Sequence, residues 1–216
     1  MAKALVIAID GPAAAGKGTI ASRLAERFQL PHLDTGLLYR AIGRIMADRG
    51  FDLDNGDLAA QIAEALDPED LRDPRLRGHE AGELASRVAV HPPVRAALVQ
   101  LQRDFAAHLP GAVLDGRDIG TVICPDATVK IYVTAAPEVR ARRRTDELNA
   151  KGRDVQYETI LGEIRDRDTR DAGRTTAPLK PAPDAVTLDT SGLDREGAFE
   201  AAVEIVNERL AIANGG

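Results

Sequence analysis

The run Gly11-Pro12-Ala13-Ala14-Ala15-Gly16-Lys17-Gly18-Thr19 combines residue types and a spacing that suit phosphate binding. Small residues between two glycines let a backbone wrap closely, so that successive N–H groups point at phosphate oxygens. A helix starting there adds partial positive charge. Lys17 follows as a point charge within reach of the β and γ phosphates of a nucleotide. The hydroxyl residue that usually comes directly after this lysine, to hold Mg²⁺, is displaced: Gly18 intervenes and Thr19 supplies the hydroxyl. The run therefore points to no direct protein ligand for Mg²⁺ at that position.

Three further segments have chemical potential. In Leu33-Asp34-Thr35-Gly36-Leu37-Leu38-Tyr39-Arg40, Thr35 can cap a helix and meet a phosphate, and Arg40 can reach the same space; alone, the segment also reads as a capped helix with a surface arginine. In Leu114-Asp115-Gly116-Arg117-Asp118-Ile119-Gly120-Thr121, a carboxylate ends an apolar run, where phosphate-loop proteins keep a Mg²⁺-organising Asp. Asp115 is the candidate, acting through water, while Arg117 and Asp118 fall at the carboxyl edge of a sheet, where open α/β folds bind ligands. A polar turn explains the same residues. In Arg165 to Arg174, Arg167, Asp171 and Arg174 are spaced four and three apart and share a face if one helix spans them. Locally, ordinary ion pairs explain these three residues as well.

The elements that must position these groups follow from the apolar pattern. Ala4 to Asp10 (ALVIAID) is a continuous apolar run and predicts a strand buried on both faces. Ile20, Leu24 and Phe28 at helical spacing predict a helix from about Lys17 to Arg27. The order strand, glycine-bounded turn, helix opens a parallel α/β sheet. Further strands are predicted at 29–34, 112–115, 128–134 and 185–189, and helices at 36–49, 57–66, 80–90, 94–108, from Pro137 to about Ala150, around Tyr157–Ile164, and around Phe199–Leu210. Asp67 to Gly78 reads as a loop. The expectation is one domain over 1–216: a three-layer α/β fold with a five-stranded parallel sheet.

Composition narrows the function. Apolar residues are 44% and charged residues 29%, a globular mix. Net charge is −6 and aromatics are 3% with no Trp, which argues against a nucleic-acid polymer as partner. Cys124 is the single cysteine, so no internal disulfide forms, which suits a reducing cytosol; it reads as a small hydrophobe. Met1-Ala2-Lys3 leads into a short apolar run rather than a signal peptide, and no apolar stretch approaches the roughly 20 residues of a membrane span. His32, His79, His91 and His108 form no metal or triad spacing. The stretch Arg140 to Arg174 holds ten basic and eight acidic residues and reads on composition as a solvated, salt-bridged helical hairpin.

Together, IDGPAAAGKGT, LDTGLLYR, VLDGRDIGTVICPDA, and RDRDTRD followed by RTTAPLKPAPDAVTLDT resemble the bacterial cytidylate kinases, within the nucleoside monophosphate kinases, from about Ile7 to Leu188. The resemblance implies a P-loop NTPase fold with a short monophosphate-binding arm at about 35–105 and a helical lid at about 140–174. It implies ATP-dependent phosphorylation of CMP and dCMP, with ATP and Mg²⁺ as cofactors. Gly11, Pro12, Ala13, Ala14, Ala15, Gly16, Lys17, Gly18 and Thr19 would bind the ATP phosphates. Thr35, Arg40, Arg117 and Arg167 match residues that meet the CMP phosphate, and Ser86, Arg95 and Asp118 match those that read cytosine. Tyr39 joins the CMP set, Asp171 would reach the ribose, and Arg174 the phosphates. Lys17, Arg117, Arg167 and Arg174 are the expected catalytic groups. Under this resemblance the 140–174 hairpin is the lid that closes over ATP.

A kinase for another acceptor (UMP, AMP or a metabolite such as shikimate) shares the phosphate loop. A nucleotide-dependent switch without turnover is disfavoured, because the Asn-Lys-x-Asp base-reading motif of GTPases is absent. The expected protein is a cytoplasmic monomer acting on small molecules, without membrane or nucleic-acid partners.

Overall fold

The structure is a computed structural model and describes residues 4–215; Met1–Lys3, expected only to lead into the first strand, lie outside the described residues. Five strands form one parallel sheet: β1 (Leu5–Asp10), β2 (His32–Asp34), β3 (Gly111–Gly116), β4 (Val129–Thr134) and β5 (Val186–Asp189), in the spatial order β2-β3-β1-β4-β5. Among the described residues eight α-helices connect and follow them: α1 (Lys17–Phe28), α2 (Thr35–Asp48), α3 (Gly56–Glu64), α4 (His79–Val88), α5 (Pro92–Ala107), α6 (Pro137–Ala150), α7 (Tyr157–Ala172) and α8 (Arg195–Gly215). Among the described residues no helix is long and apolar enough to cross a membrane.

The chain divides into two compact units, one up to His32 and from Ala106 onward, the other Leu33–Phe105. In the first, β1 is the central strand, flanked by β3 and β4, which explains why its sequence is apolar on both faces. Ile7, Ile9, Val113, Ile131 and Val133 pack against Leu24 of α1 and against Phe199, Val203 and Val206 of α8. Each of the fully buried aliphatic side chains among them, such as Ile7, Ile9 and Leu24, contributes roughly 1.5–3 kcal/mol. A smaller apolar cluster, Ala141, Leu148, Ile160 and Ile164, joins α6 to α7, so the hairpin has a core of its own rather than ion pairs alone.

In the second unit α2, α3, α4 and α5 surround Leu38, Ile42, Met46, Leu84, Val88 and Leu98. Gly43 lets α2 meet α4: a Cβ there would stand 2.8 Å from Leu84 Cβ.

Two local expectations are corrected and one unexpected element is added. Asp67–Gly78 is not simply a loop. It holds two short 3-10 turns, Pro68–Arg72 and Pro74–Arg77, each opened by an Asp cap and a proline at its first position. Leu76, on the second turn, is buried and anchors it. The cap of α2 is Asp34 rather than Thr35, which is already helical and buried. Residues Ile119–Ile123 form a π-helical turn that apolar spacing did not announce.

Candidate active site

The phosphate-binding loop leaves the carboxyl end of β1 in the first unit. Gly11 is required there: it has φ +151°, and a Cβ would lie 2.0 Å from the carbonyl oxygen of Val133 on β4. Gly16 takes φ +88° and opens α1, with no side-chain cap. The N–H groups of the first turn of α1 therefore have no partner within the helix and face the loop's end. Lys17 is 7% exposed, and its ammonium donates to the Pro12 carbonyl at 3.2 Å, folded over the loop it serves.

Asp115, the penultimate residue of β3, lies beside this helix start. A Cβ on Gly18 would stand 3.9 Å from its Oδ2, so no side chain separates the carboxylate from the loop. Its Oδ1 pairs with His32 Nε2 at 2.8 Å, which makes His32 part of the site although its spacing in the sequence suggested nothing. Among the described residues no group of three His, Cys, Asp or Glu could hold a metal ion directly. One buried carboxylate beside a phosphate loop fits Mg²⁺ held through water, because Mg²⁺ keeps several waters and needs few protein ligands.

Asp10, the last residue of β1, was not singled out either. Its carboxylate accepts from Ile119 N–H at 2.7 Å and Gly120 N–H at 2.8 Å and so fixes the turn that follows Arg117 and Asp118. Burial pushes its pKa up to about 6; the two backbone bonds and Lys17 oppose that rise, and Asp118 adds to it. The available signal was a carboxylate ending a buried strand, the argument applied above to Asp115. Asp118 is buried and precedes the π-helical turn.

The Arg117, Arg167, Asp171 and Arg174 set comes together in the first unit. Arg117 Nε donates to Asp171 Oδ2 at 2.8 Å, Arg174 Nη2 lies 3.2 Å from Oδ1, and Arg167 Nε lies 4.0 Å from Oδ2. α7 ends at Ala172, so Arg174 reaches Asp171 from beyond the helix rather than from its face. Burial pushes the Asp171 carboxyl up, but the guanidiniums of Arg117, Arg174 and Arg167 outweigh it and hold the group below the usual carboxylate range. Burial works against the charge on Arg117, and Asp171, Asp115 and Asp10 more than restore it. Three guanidiniums around one carboxylate in a desolvated place form a trap for a further anion.

A cavity of about 400 Å³ lies against the loop, lined by Ala15, Gly16, Thr19, Arg143, Arg144 and Thr190 among others. Its wall is fixed by Arg143, which donates to Thr190 O at 2.6 Å and Leu193 O at 3.0 Å, and by Thr190 Oγ1, which donates to Ala15 O at 3.3 Å. Its volume suits a base and ribose.

In the second unit Arg40 forks onto Asp34, at 2.8 Å to Oδ2 and 3.1 Å to Oδ1, and Nε donates to Gly36 O. Arg95 lies 5.5 Å from the centre of the Tyr39 ring, donates to Ala89 O at 3.2 Å and is 5% exposed. Ser86 is 3% exposed, and its Oγ has no hydrogen-bond partner among the described residues. Sequence reasoning alone placed Ser86 and Arg95 on helices and no more; here both are buried.

The family described as cytidylate kinase matches the chain over residues 7–208. The curated cytidylate kinase of Rhodopseudomonas palustris (strain TIE-1) is 57% identical over 202 residues, 94% of this chain and 95% of its own length. That of Caulobacter sp. (strain K31) is 57% identical over 208 residues, 96% of each chain. That of Brucella suis biovar 1 (strain 1330) is 53% identical over 206 residues, 95% of this chain and 94% of its own. Among solved structures, an uncharacterized protein from Eubacterium ventriosum ATCC 27560 superposes with a TM-score of 0.57 at 13% identity, covering 94% of this chain and 98% of that one, a likeness of fold alone.

Proposed function

Because the chain belongs to the cytidylate kinase family, we propose that it transfers the γ-phosphoryl group of ATP to CMP and dCMP, giving ADP with CDP or dCDP. The observation that best supports this is the presence in one unit of a phosphate loop and the arginine cluster on Asp171. The loop suits the donor's phosphates, and the cluster suits the phosphate in transit and its acceptor.

The acceptor oxygen belongs to a phosphate monoester whose second pKa is about 6, so it is ionised near neutral pH and needs no general base. What this chain supplies is alignment and charge. The backbone N–H groups of Gly11–Thr19 bind the donor phosphates, and Lys17 exchanges the Pro12 carbonyl for β and γ oxygens. Arg117, Arg167 and Arg174 turn toward the equatorial oxygens of the moving phosphoryl group, and Asp171, relieved of part of its pairing, meets the ribose. In the second unit Thr35, Tyr39 and Arg40 serve the CMP phosphate side and Ser86 and Arg95 the cytosine; in the first unit Asp118 is the candidate for the cytosine. The cavity beside Thr19 and Thr190 receives the donor's base. Asp115 would hold Mg²⁺ through water; when bound, the ion neutralises charge on the β and γ phosphates. Closure of α6 and α7 as a lid would exclude water and suppress hydrolysis of ATP. We read the protein as a cytoplasmic monomer acting on these small molecules.

The test is steady-state ADP release with ATP and Mg²⁺ while CMP, dCMP, UMP, AMP, GMP and shikimate are offered in turn. The expected result is turnover with CMP and dCMP and little with the others. Equal use of UMP or AMP would overturn the cytosine-reading assignments, and no turnover with any acceptor would overturn the reading itself.

A further inference from the structure

We infer that Arg140, which no motif singled out, is a positioning residue for the phosphate loop and makes the loop's anion grip depend on α6 and α7. Arg140 is 3% exposed, and its guanidinium bonds four acceptors. Nε donates to Ala135 O at 2.8 Å, at the end of β4. Nη1 donates to Ala13 O at 3.2 Å, in the middle of the phosphate loop, and to Asp168 Oδ1 at 3.0 Å. Nη2 donates to Asp168 Oδ2 at 2.5 Å, so the carboxylate on α7 holds the guanidinium in a two-point fork.

The next loop residue shows why this matters. Ala14 has φ +58°, a conformation that an L-residue with a Cβ adopts only when its surroundings impose it. Two contacts impose it. The Ala14 side chain packs on the apolar cluster of Ala141, Leu148, Ile160 and Ile164, and Arg140 holds the carbonyl of the preceding peptide. A trans peptide is planar with its C=O and N–H pointing in opposite directions. Fixing Ala13 O toward Arg140 therefore turns the Ala14 N–H to the opposite side, the concave side that a phosphate enters. Without Arg140, this peptide is free to flip, Ala14 relaxes to negative φ and the loop loses a donor. Both restraints come from the helical hairpin, so displacing the hairpin loosens the loop.

This rests on the assignment of the loop to ATP, and the experiment separates the two. Wild type, Arg140→Lys, Asp168→Asn and Arg140→Lys with Ala14→Gly are compared by thermal melting, by ATP and CMP binding measured separately by calorimetry, and by amide hydrogen exchange of residues 11–16 without nucleotide. Lysine keeps the charge but cannot bond Ala135 O, Ala13 O and both Asp168 oxygens together. Arg140→Lys is expected to weaken ATP roughly tenfold, to leave CMP within about twofold, and to speed exchange at residues 11–16. Glycine at 14 takes positive φ without strain, so the double variant is expected to regain most of the lost ATP affinity. Asp168 is partly exposed, so Asp168→Asn should fold even if Arg140→Lys does not; it is expected to shift ATP binding and loop exchange the same way by a smaller factor.

Unchanged loop exchange and ATP affinity in a folded Arg140→Lys or Asp168→Asn protein would overturn the inference, as would equal losses for ATP and CMP. A wild type that binds no ATP would overturn the functional reading, and the exchange comparison would still decide the role of Arg140.

Discussion

Arg117 and Asp171 are 54 positions apart in the chain and meet at 2.8 Å, with Asp171 almost wholly buried. The pair ties the segment after β3 to the end of α7, and Arg174 and Arg167 complete the ring around the same carboxylate. A carboxylate that holds three guanidiniums together has a measurable consequence when its charge is removed.

Replacing Asp171 with Asn should cost about 3 kcal/mol, because the buried Arg174 guanidinium and the partly exposed Arg117 and Arg167 guanidiniums lose their counter-ion. For a chain of this size the melting temperature should fall by on the order of 10 °C. The sign of the pH dependence follows from the lowered pKa of Asp171. Its stabilisation is present above the unfolded carboxylate value and is lost as pH falls through the folded one. The urea midpoints of wild type and variant should therefore converge as pH falls below about 4. A constant gap across that range would count against the ion-pair account.

Asp10 should behave in the opposite sense. Its pKa is raised to about 6, so the folded protein holds this proton where the unfolded chain has released it. Its contribution to stability is therefore greatest at low pH and declines as pH rises from about 4 through 6, by up to about 3 kcal/mol. An Asp10→Asn variant lacks that decline, and the difference between its urea unfolding free energy and that of wild type, followed from pH 4 to 7, isolates it. The variant should also lose activity at neutral pH. An amide can accept from only one of the Ile119 and Gly120 N–H groups and presents its own N–H to the other.

Two glycines of the loop should respond differently to alanine. Gly11→Ala places a Cβ 2.0 Å from the Val133 carbonyl at a positive φ, and only a shift of the β1–β4 backbone relieves it. The variant should melt far below wild type or fail to fold. Gly18→Ala meets nothing closer than Asp115 Oδ2 at 3.9 Å and lies in the first turn of α1. It should be stabilised by roughly 0.5–1 kcal/mol, the usual gain of alanine over glycine in a helix. Calorimetric melting of both variants checks the contrast.

Ser86→Ala removes a buried hydroxyl without a hydrogen-bond partner among the described residues, so it should leave the melting temperature unchanged or raise it. If Ser86 reads the base, the KM for CMP should rise about tenfold while that for ATP stays constant. Asp118→Asn should show the same split between the two substrates. A Ser86→Ala enzyme with wild-type CMP kinetics would remove Ser86 from the site.

Some of this architecture was legible in the residue order. The apolar run of β1, the glycine spacing of the loop and the helical period of α1 are local patterns, and backbone sterics and burial periodicity turn them directly into strand, turn and helix. Gly11 to Thr19 fell where the pattern put them. Asp67–Gly78 was less legible: its Asp-Pro pairs are turn starters, but only the burial of Leu76 shows that the turns are docked.

The sequence by itself determined the main strands and helices, their order and the glycine-bounded turn between β1 and α1, because each follows from patterns among residues a few positions apart. The tertiary structure alone decided which charges are buried together. Asp10 reaches the Ile119 N–H across 109 positions, His32 reaches Asp115 across 83, and Arg140 reaches Ala13 across 127. Taken locally, Asp171, Arg174 and Arg140 are members of a charged hairpin, and ion pairs of that kind contribute little in water. Removed from solvent, the same charges interact strongly enough to fix one another's positions, and that desolvation is a property of the packed fold.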